Sequence, residues 1–191
     1  MKKALADKLF YDSSGGGITV SGGEPLSQWD FVSRFLRRCK DAGLHTAVDT
    51  SGFAPWEHAA EVFRHVDLVL FDLKHMDSEA HRRLTGVPNE TILENLKRLS
   101  EMDVQIYIRI PVIPGMNDSD ANIRATAAFV KQELGGKYRT FLLPYHRLGE
   151  SKLESLEEAE GFLGIRPPSD EHMQHLKAIF DSLELECQIG G

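Results

Sequence analysis

The stretch Val20-Ser21-Gly22-Gly23-Glu24-Pro25 decides how the rest of this chain is interpreted. It continues from a short apolar run, Ile18-Thr19-Val20, which predicts a buried strand. The two glycines allow a sharp turn and leave backbone N–H groups open to a ligand, and the proline stops the strand. Glu24 is then expected to face outward at a strand end, where parallel α/β proteins bind their ligands. An ordinary strand-to-helix turn is the alternative interpretation.

Apolar runs alternate with amphipathic segments over the rest of the chain. Further strands are predicted from His45, Leu68, Val104 and Thr140, with helical patterns between them and a short edge strand over residues 186–189. The run Leu68-Val69-Leu70-Phe71 is typical of a strand covered on both faces. This order predicts an α/β fold of parallel strands with right-handed helical crossovers. We predict one domain over residues 1–191, with a long polar segment at 147–168 inside it.

The predicted helices have recognisable caps and apolar faces. Ser27 is expected to cap the first, whose inward residues are Phe31, Val32, Phe35, Leu36 and Cys39. Later helices are expected to begin at Asp77 or Ser78, after Asn89, at Asp118 or Ser119, and after Ser169. Three histidines are expected on helix surfaces and receive no functional role: His58, His65 and His81.

Composition excludes several classes of protein. Hydrophobic residues make up 41% and charged residues 27% of the 191 residues, which is ordinary for a globular protein. The net charge of −7 and the lack of a basic run argue against a nucleic-acid surface. The longest apolar stretches are too short to span a membrane, and the N-terminus lacks the apolar run of a signal peptide. We therefore expect a cytoplasmic protein.

Polar side chains follow each of the predicted internal strands. Because parallel strands end at one edge of a sheet, these residues are expected to line one ligand face. Three acids suit an ammonium group, hydroxyls or a cation, and two cations suit a carboxylate or phosphate, so the mixture suggests a zwitterionic or nucleoside-bearing ligand. The residues are Glu24, Asp49, Asp72, Lys74, Arg109 and His146.

Each of these residues also has a structural interpretation. Asp72 and Lys74 could form an ion pair, and Asp49-Thr50 could be a turn or helix cap. Arg109 could brace the proline-rich loop that follows it, and His146 could be a solvent-facing loop residue.

Several motifs, in order, resemble the glycyl-radical-enzyme activating proteins of the radical S-adenosylmethionine superfamily. They cover nearly the whole chain: residues 10–26 (FYDSSGGGITVSGGEPL), 49–52 (DTSG), 71–74 (FDLK), 85–89 (TGVPN), 107–115 (YIRIPVIPG), 143–146 (LPYH) and 188–191 (QIGG). The resemblance implies a partial (β/α) barrel that binds S-adenosylmethionine at the carboxyl ends of its strands. It also implies a [4Fe–4S] cluster that cleaves the cofactor to a 5′-deoxyadenosyl radical, which abstracts hydrogen from a glycine of a partner enzyme.

The resemblance also assigns roles to individual residues. Gly22, Gly23 and Glu24 would hold the methionine amino group, with Asp49 and Thr50 nearby. Asp72 and Lys74 would belong to the ligand and cation edge, and His146 would lie against the adenine. Arg109 would lie beside the methionine and the reaction centre, as the candidate catalytic residue. The implied partners are a glycyl radical enzyme and an electron donor such as a flavodoxin or ferredoxin.

The chain departs from the family pattern in its cysteines. The family carries a Cys-x-x-x-Cys-x-x-Cys motif before the Gly-Gly-Glu-Pro stretch, and three thiolates are needed to hold three irons. Here the two cysteines are Cys39 and Cys187. We therefore expect no metal ligands in this chain, an absent first barrel strand, and the C-terminal portion of an activating enzyme that is inactive alone.

Two other functions remain open. The chain could be a degenerate homologue that docks a glycyl radical enzyme without performing chemistry. It could also be a different barrel enzyme with Lys74 as a Schiff-base nucleophile. The Schiff-base hypothesis leaves the Gly-Gly-Glu-Pro stretch without a role.

Overall fold

The strands in the described part of the chain occur in one sheet and follow the order of the chain. The computed structural model describes Lys8, Tyr11, Ser13, residues 15–146 and residues 164–190. Within these residues the strands are β1 (Gly17–Val20), β2 (His45–Thr50), β3 (Leu68–Asp72), β4 (Gln105–Val112), β5 (Arg139–Pro144) and β6 (Cys187–Ile189). The sheet order is β1-β2-β3-β4-β5-β6. This order lacks the reversal that defines a doubly wound sheet.

The strands are parallel, as the alternation in the sequence predicted. β1 pairs with β2 from Gly17 opposite His45, and β2 pairs with β3 from Ala47 opposite Leu68. β5 pairs with β6 in the same parallel sense. Parallel neighbours require a crossover between them, and helices occupy these connections. The predicted α/β class is therefore confirmed.

The helices between the strands begin near the predicted caps. Asp77, Ser119 and Ser169 each accept a backbone N–H at a helix N-terminus, which satisfies a donor that the helix itself leaves unpaired. Asn89 occupies the predicted N-cap position but makes no side-chain cap hydrogen bond. The helices are α1 (Trp29–Asp41), α2 (Trp56–Phe63), α3 (Ser78–Thr85), α4 (Glu90–Leu99), α5 (Asp120–Gln132) and α6 (Asp170–Asp181).

The start of α1 and its buried face differ from the prediction. A short 3₁₀ helix, Pro25–Gln28, precedes α1 and is capped by Glu24, and the N-cap of α1 is Gln28 rather than the predicted Ser27. Val32, Leu36 and Cys39 are buried as predicted, but Phe31 is 67% exposed. Phe31 lies outside the stripe that Val32, Ser33, Leu36 and Cys39 form at 100° per residue, so its apolar character alone assigned it to the wrong face.

The chain forms two compact units. The first comprises Met1–Asp72 and Val87–Ile108, and the second comprises Leu73–Gly86 and Arg109–Gly191. The first unit has β1, β2, β3 and the start of β4, with α1, α2 and α4. The second has the end of β4, β5 and β6, with α3, α5 and α6. The expectation of one domain over residues 1–191 stays a prediction. Of the predicted polar segment 147–168, residues 147–163 lie outside the described residues, and 165–168 form no helix or strand.

Asp67 connects α1, β2 and the entry to β3 within the first unit. Its Oδ2 accepts hydrogen bonds from the Thr46 backbone N–H and from Thr46 Oγ1, both at 2.9 Å. Its Oδ1 lies 2.6 Å from Lys40 Nζ. Partial burial raises the pKa of the Asp67 carboxyl, but the bonds from Lys40 and Thr46 outweigh it and leave the net pKa below its ordinary value.

We expect Asp67→Ala to lower the free energy of unfolding by about 1–3 kcal/mol at pH 7, because Thr46 loses a charged acceptor. Since the folded-state pKa lies below the unfolded value, the carboxylate stabilises the fold above the unfolded pKa, near 4. That contribution is lost as the pH falls through the folded pKa. Urea denaturation at several pH values tests this, with exposed Asp103→Asn as the control. An unchanged acid limb in Asp67→Ala would contradict the assignment.

Candidate functional site

The turn that follows β1 leaves open space beside its backbone. Ser21, Gly22 and Gly23 are exposed, and Gly22 has a φ of +130°, a conformation that favours glycine. No heavy atom beyond the neighbouring residues lies within 4 Å of a Cβ built on Gly22 or on Gly23. The two glycines therefore form an uncovered stretch of main chain that a ligand can approach closely.

The Glu24 side chain fixes this turn to the loop after β2. Its Oε1 accepts hydrogen bonds from the Leu26 N–H at 3.0 Å and from Thr50 Oγ1. Its Oε2 accepts hydrogen bonds from the Ser51 N–H at 2.9 Å and from Ser51 Oγ at 2.6 Å. A carboxylate has about four lone-pair sites, so these donors occupy them all. The expectation that Glu24 faces outward was wrong, because nearby donors in the β2 loop bind its carboxylate.

Asp49 and Thr50 were expected to follow the second strand. They are instead the last two residues of β2. Thr50 is buried, donates to Glu24 and accepts a hydrogen bond from the Gly52 N–H at 2.9 Å. Asp49 is half-buried, and its Oδ2 accepts a bond from Ser21 Oγ at 3.2 Å. Both residues therefore touch the glycine turn or its anchor directly.

Asn95, a residue that was not among the predicted site residues, supports the same loop. It is 2% exposed, and its Nδ2 donates to the Gly52 carbonyl at 2.7 Å and to the Ala54 carbonyl at 2.8 Å. The only sequence signal was a polar residue on the apolar face of α4. Asp72, the last residue of β3, is half-buried and completes the predicted site residues of the first unit.

The second unit contains Lys74, Arg109 and His146. Lys74 and Arg109 are half-buried, and the Leu73 N–H donates to the Arg109 carbonyl at 2.9 Å. Arg109 lies inside β4, which continues through Pro111 to Val112. The expectation that Arg109 follows its strand was therefore wrong, because β4 continues for three residues beyond it.

His146 follows β5 by two positions and is exposed. The preceding Tyr145 N–H donates to the Val112 carbonyl at 3.1 Å, which fixes the backbone just before His146. His75, which the sequence analysis did not mention, follows Lys74 directly. Burial lowers the pKa of His75 despite Asp77 nearby, which favours the neutral imidazole at neutral pH.

His81 also differs from its prediction. It was assigned to a helix surface, but it is 2% exposed. Its Nδ1 lies 3.0 Å from Thr85 Oγ1, one helical turn later. The buried ring packs inside the second unit, and helical periodicity did not identify this because α3 is short and strongly polar.

The cysteines do not fit an iron–sulfur cluster. Cys39 and Cys187 are both buried. Burial raises the pKa of both thiols, that of Cys187 to about 12, so each is stabilised as the neutral thiol and not as the thiolate ligand. Among the described residues, no group of three or more His, Cys, Asp or Glu side chains is arranged to hold a metal ion. Nor does any helix in the described part of the chain have the length and hydropathy needed to cross a membrane.

Comparison with known proteins identifies the family. Residues 3–127 match the radical SAM superfamily, so the chain belongs to that superfamily. Its homologues within it are glycyl-radical-enzyme activating enzymes. It is 41% identical over 194 residues to the (2S)-3-sulfopropanediol dehydratase activating enzyme of Klebsiella oxytoca, covering 100% of this chain and 61% of that enzyme.

A second curated relative and a solved structure point to the same family of activating enzymes. The pyruvate formate-lyase 1-activating enzyme of Escherichia coli K12 is 38% identical over 183 residues, covering 95% of this chain and 74% of that enzyme. The crystal structure of a domain of pyruvate-formate lyase-activating enzyme from Bacteroides vulgatus superposes with a TM-score of 0.77 at 38% identity, covering 92% of this chain and 99% of that one. The predicted family and its radical SAM type of fold are therefore confirmed. The chain spans 61% and 64% of two of the curated relatives it matches.

Proposed function

We propose that this chain binds S-adenosylmethionine and acts as the cofactor-binding part of a glycyl-radical-enzyme activating enzyme. The observation that carries the proposal is the uncovered Gly22–Gly23 backbone, held by Glu24 against Thr50 and Ser51. A zwitterionic ligand with an ammonium group fits a turn with exposed main chain and acidic residues beside it. Membership of the radical SAM superfamily supports S-adenosylmethionine as that ligand.

The geometry favours a division of work within the first unit. Because the Glu24 carboxylate is saturated by Leu26, Thr50 and Ser51, its proposed role is to hold the turn in place. The carbonyl oxygens in the open main chain of Gly22 and Gly23 are then the proposed acceptors for the methionine amino group, which can only donate. Asp49 is half-buried and accepts a bond from Ser21 beside the glycine turn, so it is the proposed negative charge next to the methionine amino group.

The remaining roles rest on the family resemblance. Asp72 and Lys74 are proposed for the ligand and cation edge, His146 for the adenine and Arg109 for the methionine near the reaction centre. The exposure of His146 and the half-burial of Lys74 and Arg109 leave surface on each for a ligand. When bound beside a reduced cluster, S-adenosylmethionine supplies radical chemistry. The residues of this chain would bind the cofactor, orient it and limit its access to water.

We further propose that the chain alone does not assemble the cluster. A [4Fe–4S] cluster with one open iron requires three thiolates, and the chain has two buried, separated cysteines. The partner of the intact enzyme is proposed to be a glycyl radical enzyme in the cytoplasm, with a flavodoxin or ferredoxin as electron donor. The shortage of cysteines equally favours a second candidate, a non-catalytic module that docks the same partner.

Cofactor binding can be tested without activity. We expect equilibrium dialysis with S-adenosylmethionine to show saturable binding, and Gly23→Ala to weaken it by about tenfold or more, since a methyl group would occupy the space that the ligand approaches. Gly23 does not have a positive φ and has free space around a Cβ, so the melting temperature of the Gly23→Ala protein should equal that of the unmodified chain. Absence of binding to the unmodified chain would overturn the proposal.

The cluster proposal has a separate measurement. Anaerobic incubation with iron and sulfide should give no [4Fe–4S] absorption and, after addition of reductant and cofactor, no 5′-deoxyadenosine. Either signal would show that the chain holds a cluster. To separate the two candidate functions, the genomic sequence upstream should be read in frame. A Cys-x-x-x-Cys-x-x-Cys pattern there favours the enzyme, and its absence favours the docking module.

A further inference from the structure

Two buried asparagines in the second unit, Asn117 and Asn122, have no place in the site described above. They are 1% and 5% exposed, on the segment that runs from the end of β4 into α5. Burying a side-chain amide costs free energy unless its donors and its acceptor are paired, so the burial of these two asparagines needs a physical reason. Their hydrogen-bond partners provide it.

Asn117 bonds to the main chain on both sides of a junction between two loops. Its Nδ2 donates to the Lys74 carbonyl at 2.9 Å and to the Pro111 carbonyl at 2.6 Å. Its Oδ1 accepts from the Ile113 N–H at 2.8 Å. One amide thus uses both donors and its acceptor on three backbone groups, which a carboxylate cannot do because it has no donor.

Asn122 extends the same network by one turn of α5. Its Oδ1 accepts from the Met76 N–H at 2.8 Å, and its Nδ2 donates to the Asn117 carbonyl at 2.7 Å. The backbone around Lys74 is therefore held at two points. Asn117 binds the Lys74 carbonyl, and Asn122 binds the N–H of Met76, two residues later. The loop after β3 is held by side chains that come from the loop after β4 and the first turn of α5.

The network also determines where Lys74 lies relative to Arg109. The Leu73 N–H bonds to the Arg109 carbonyl, and the Pro111 carbonyl, two residues after Arg109, bonds to the Asn117 amide that also holds Lys74. Lys74 is therefore bonded directly to Asn117, and Arg109 is linked to it through the backbone of its neighbours Leu73 and Pro111. Neither Asn117 nor Asn122 needs to touch a ligand for this to matter, because a shift of a positioned group by about 1 Å can cost a hundredfold in function.

We propose that Asn117 and Asn122 are positioning residues that hold Lys74 and Arg109 in place for S-adenosylmethionine. This inference rests on the proposed function of the chain. A purely structural role would predict that their removal lowers stability and leaves cofactor affinity unchanged in the folded fraction. A positioning role predicts that affinity falls further than the loss of stability explains.

The test uses the whole chain with S-adenosylmethionine as the probe. In Asn117→Asp, which has nearly the same shape, the new carboxylate faces two carbonyl oxygens and the loops separate. We expect the dissociation constant to rise by about tenfold or more, and amide exchange over residues 73–77 and 111–117 to quicken by a similar factor. Asn122→Ser, which loses the bond to Met76, is the second variant if Asn117→Asp does not fold, with the larger exchange effect expected at 73–77.

Val130→Ala is the matched control, because Val130 lies on the buried face of α5 with no bond to either loop. It should lower stability while leaving affinity and loop exchange within about twofold. Wild-type affinity in both folded asparagine variants, or an equal loss of affinity in Val130→Ala, would overturn the positioning role. Failure of the unmodified chain to bind the probe would instead overturn the proposed function, and the inference with it.

Discussion

In Glu24→Gln we expect the turn after β1 to separate from the loop after β2. The amide keeps one carbonyl oxygen but replaces the other with an NH₂ group that faces hydrogen-bond donors. Whichever way the amide lies, it opposes either Ser51 N–H and Oγ or Leu26 N–H and Thr50 Oγ1. Bonds to a charged acceptor contribute about 1.5–3 kcal/mol each, so we expect a loss of about 2–4 kcal/mol for this half-buried group.

The loss should extend to cofactor binding. If the Glu24 network holds the open main chain of Gly22 and Gly23, the dissociation constant for S-adenosylmethionine should rise by about tenfold or more in the folded Glu24→Gln protein. Urea denaturation and equilibrium dialysis measure the two effects. Exposed Glu57→Gln is the control and should change stability by about 0.5 kcal/mol or less.

A double-mutant cycle shows whether the effect passes through the observed contacts. Thr50→Val removes the hydroxyl that donates to Glu24 Oε1. If the two side chains act together, the double variant should be more stable than the sum of the single losses predicts, by about 1 kcal/mol or more. Simple additivity would mean that Glu24 stabilises the turn by another route.

The sequence was sufficient for features that depend on local spacing. The strands, the helices and the caps at Asp77, Ser119 and Ser169 follow from patterns within about a dozen residues, and the alternation of strand and helix in turn predicts parallel pairing. The site residues of the first unit stay predictions, although Asp49 and Thr50 end β2 and are bonded to Ser21 and Glu24 after β1.

Features that depend on distant partners were not predictable in this way. The direction of the Glu24 carboxylate is determined by Thr50 and Ser51, which are 26 and 27 residues away. The roles of the buried asparagines depend on carbonyl groups 41 to 43 residues away, and an asparagine in a helix pattern resembles any exposed polar residue. Such contacts follow from the tertiary fold, which single-sequence periodicity does not encode.

Gly52 combines two constraints in the loop that anchors Glu24. Its φ of +76° is unfavourable for any residue with a Cβ, by about 1–2 kcal/mol. A Cβ at this position would also lie 2.3 Å from Phe71 Cζ and 2.5 Å from Cε2. Phe71 is fully buried in β3, so its ring has no free space to move into.

We therefore expect Gly52→Ala to lower the free energy of unfolding by about 2–5 kcal/mol, the sum of backbone strain of about 1–2 kcal/mol and overpacking of about 1–3 kcal/mol. Gly86→Ala is the matched control, because Gly86 has a φ of +83° but open space around a Cβ. It should show the strain alone, about 1–2 kcal/mol. In a Phe71→Leu background, Gly52→Ala should lower the free energy of unfolding by less, since the ring atoms in the clash are removed. Equal losses in the two glycine variants would show that Phe71 yields, and that the conformation of Gly52 alone constrains the loop.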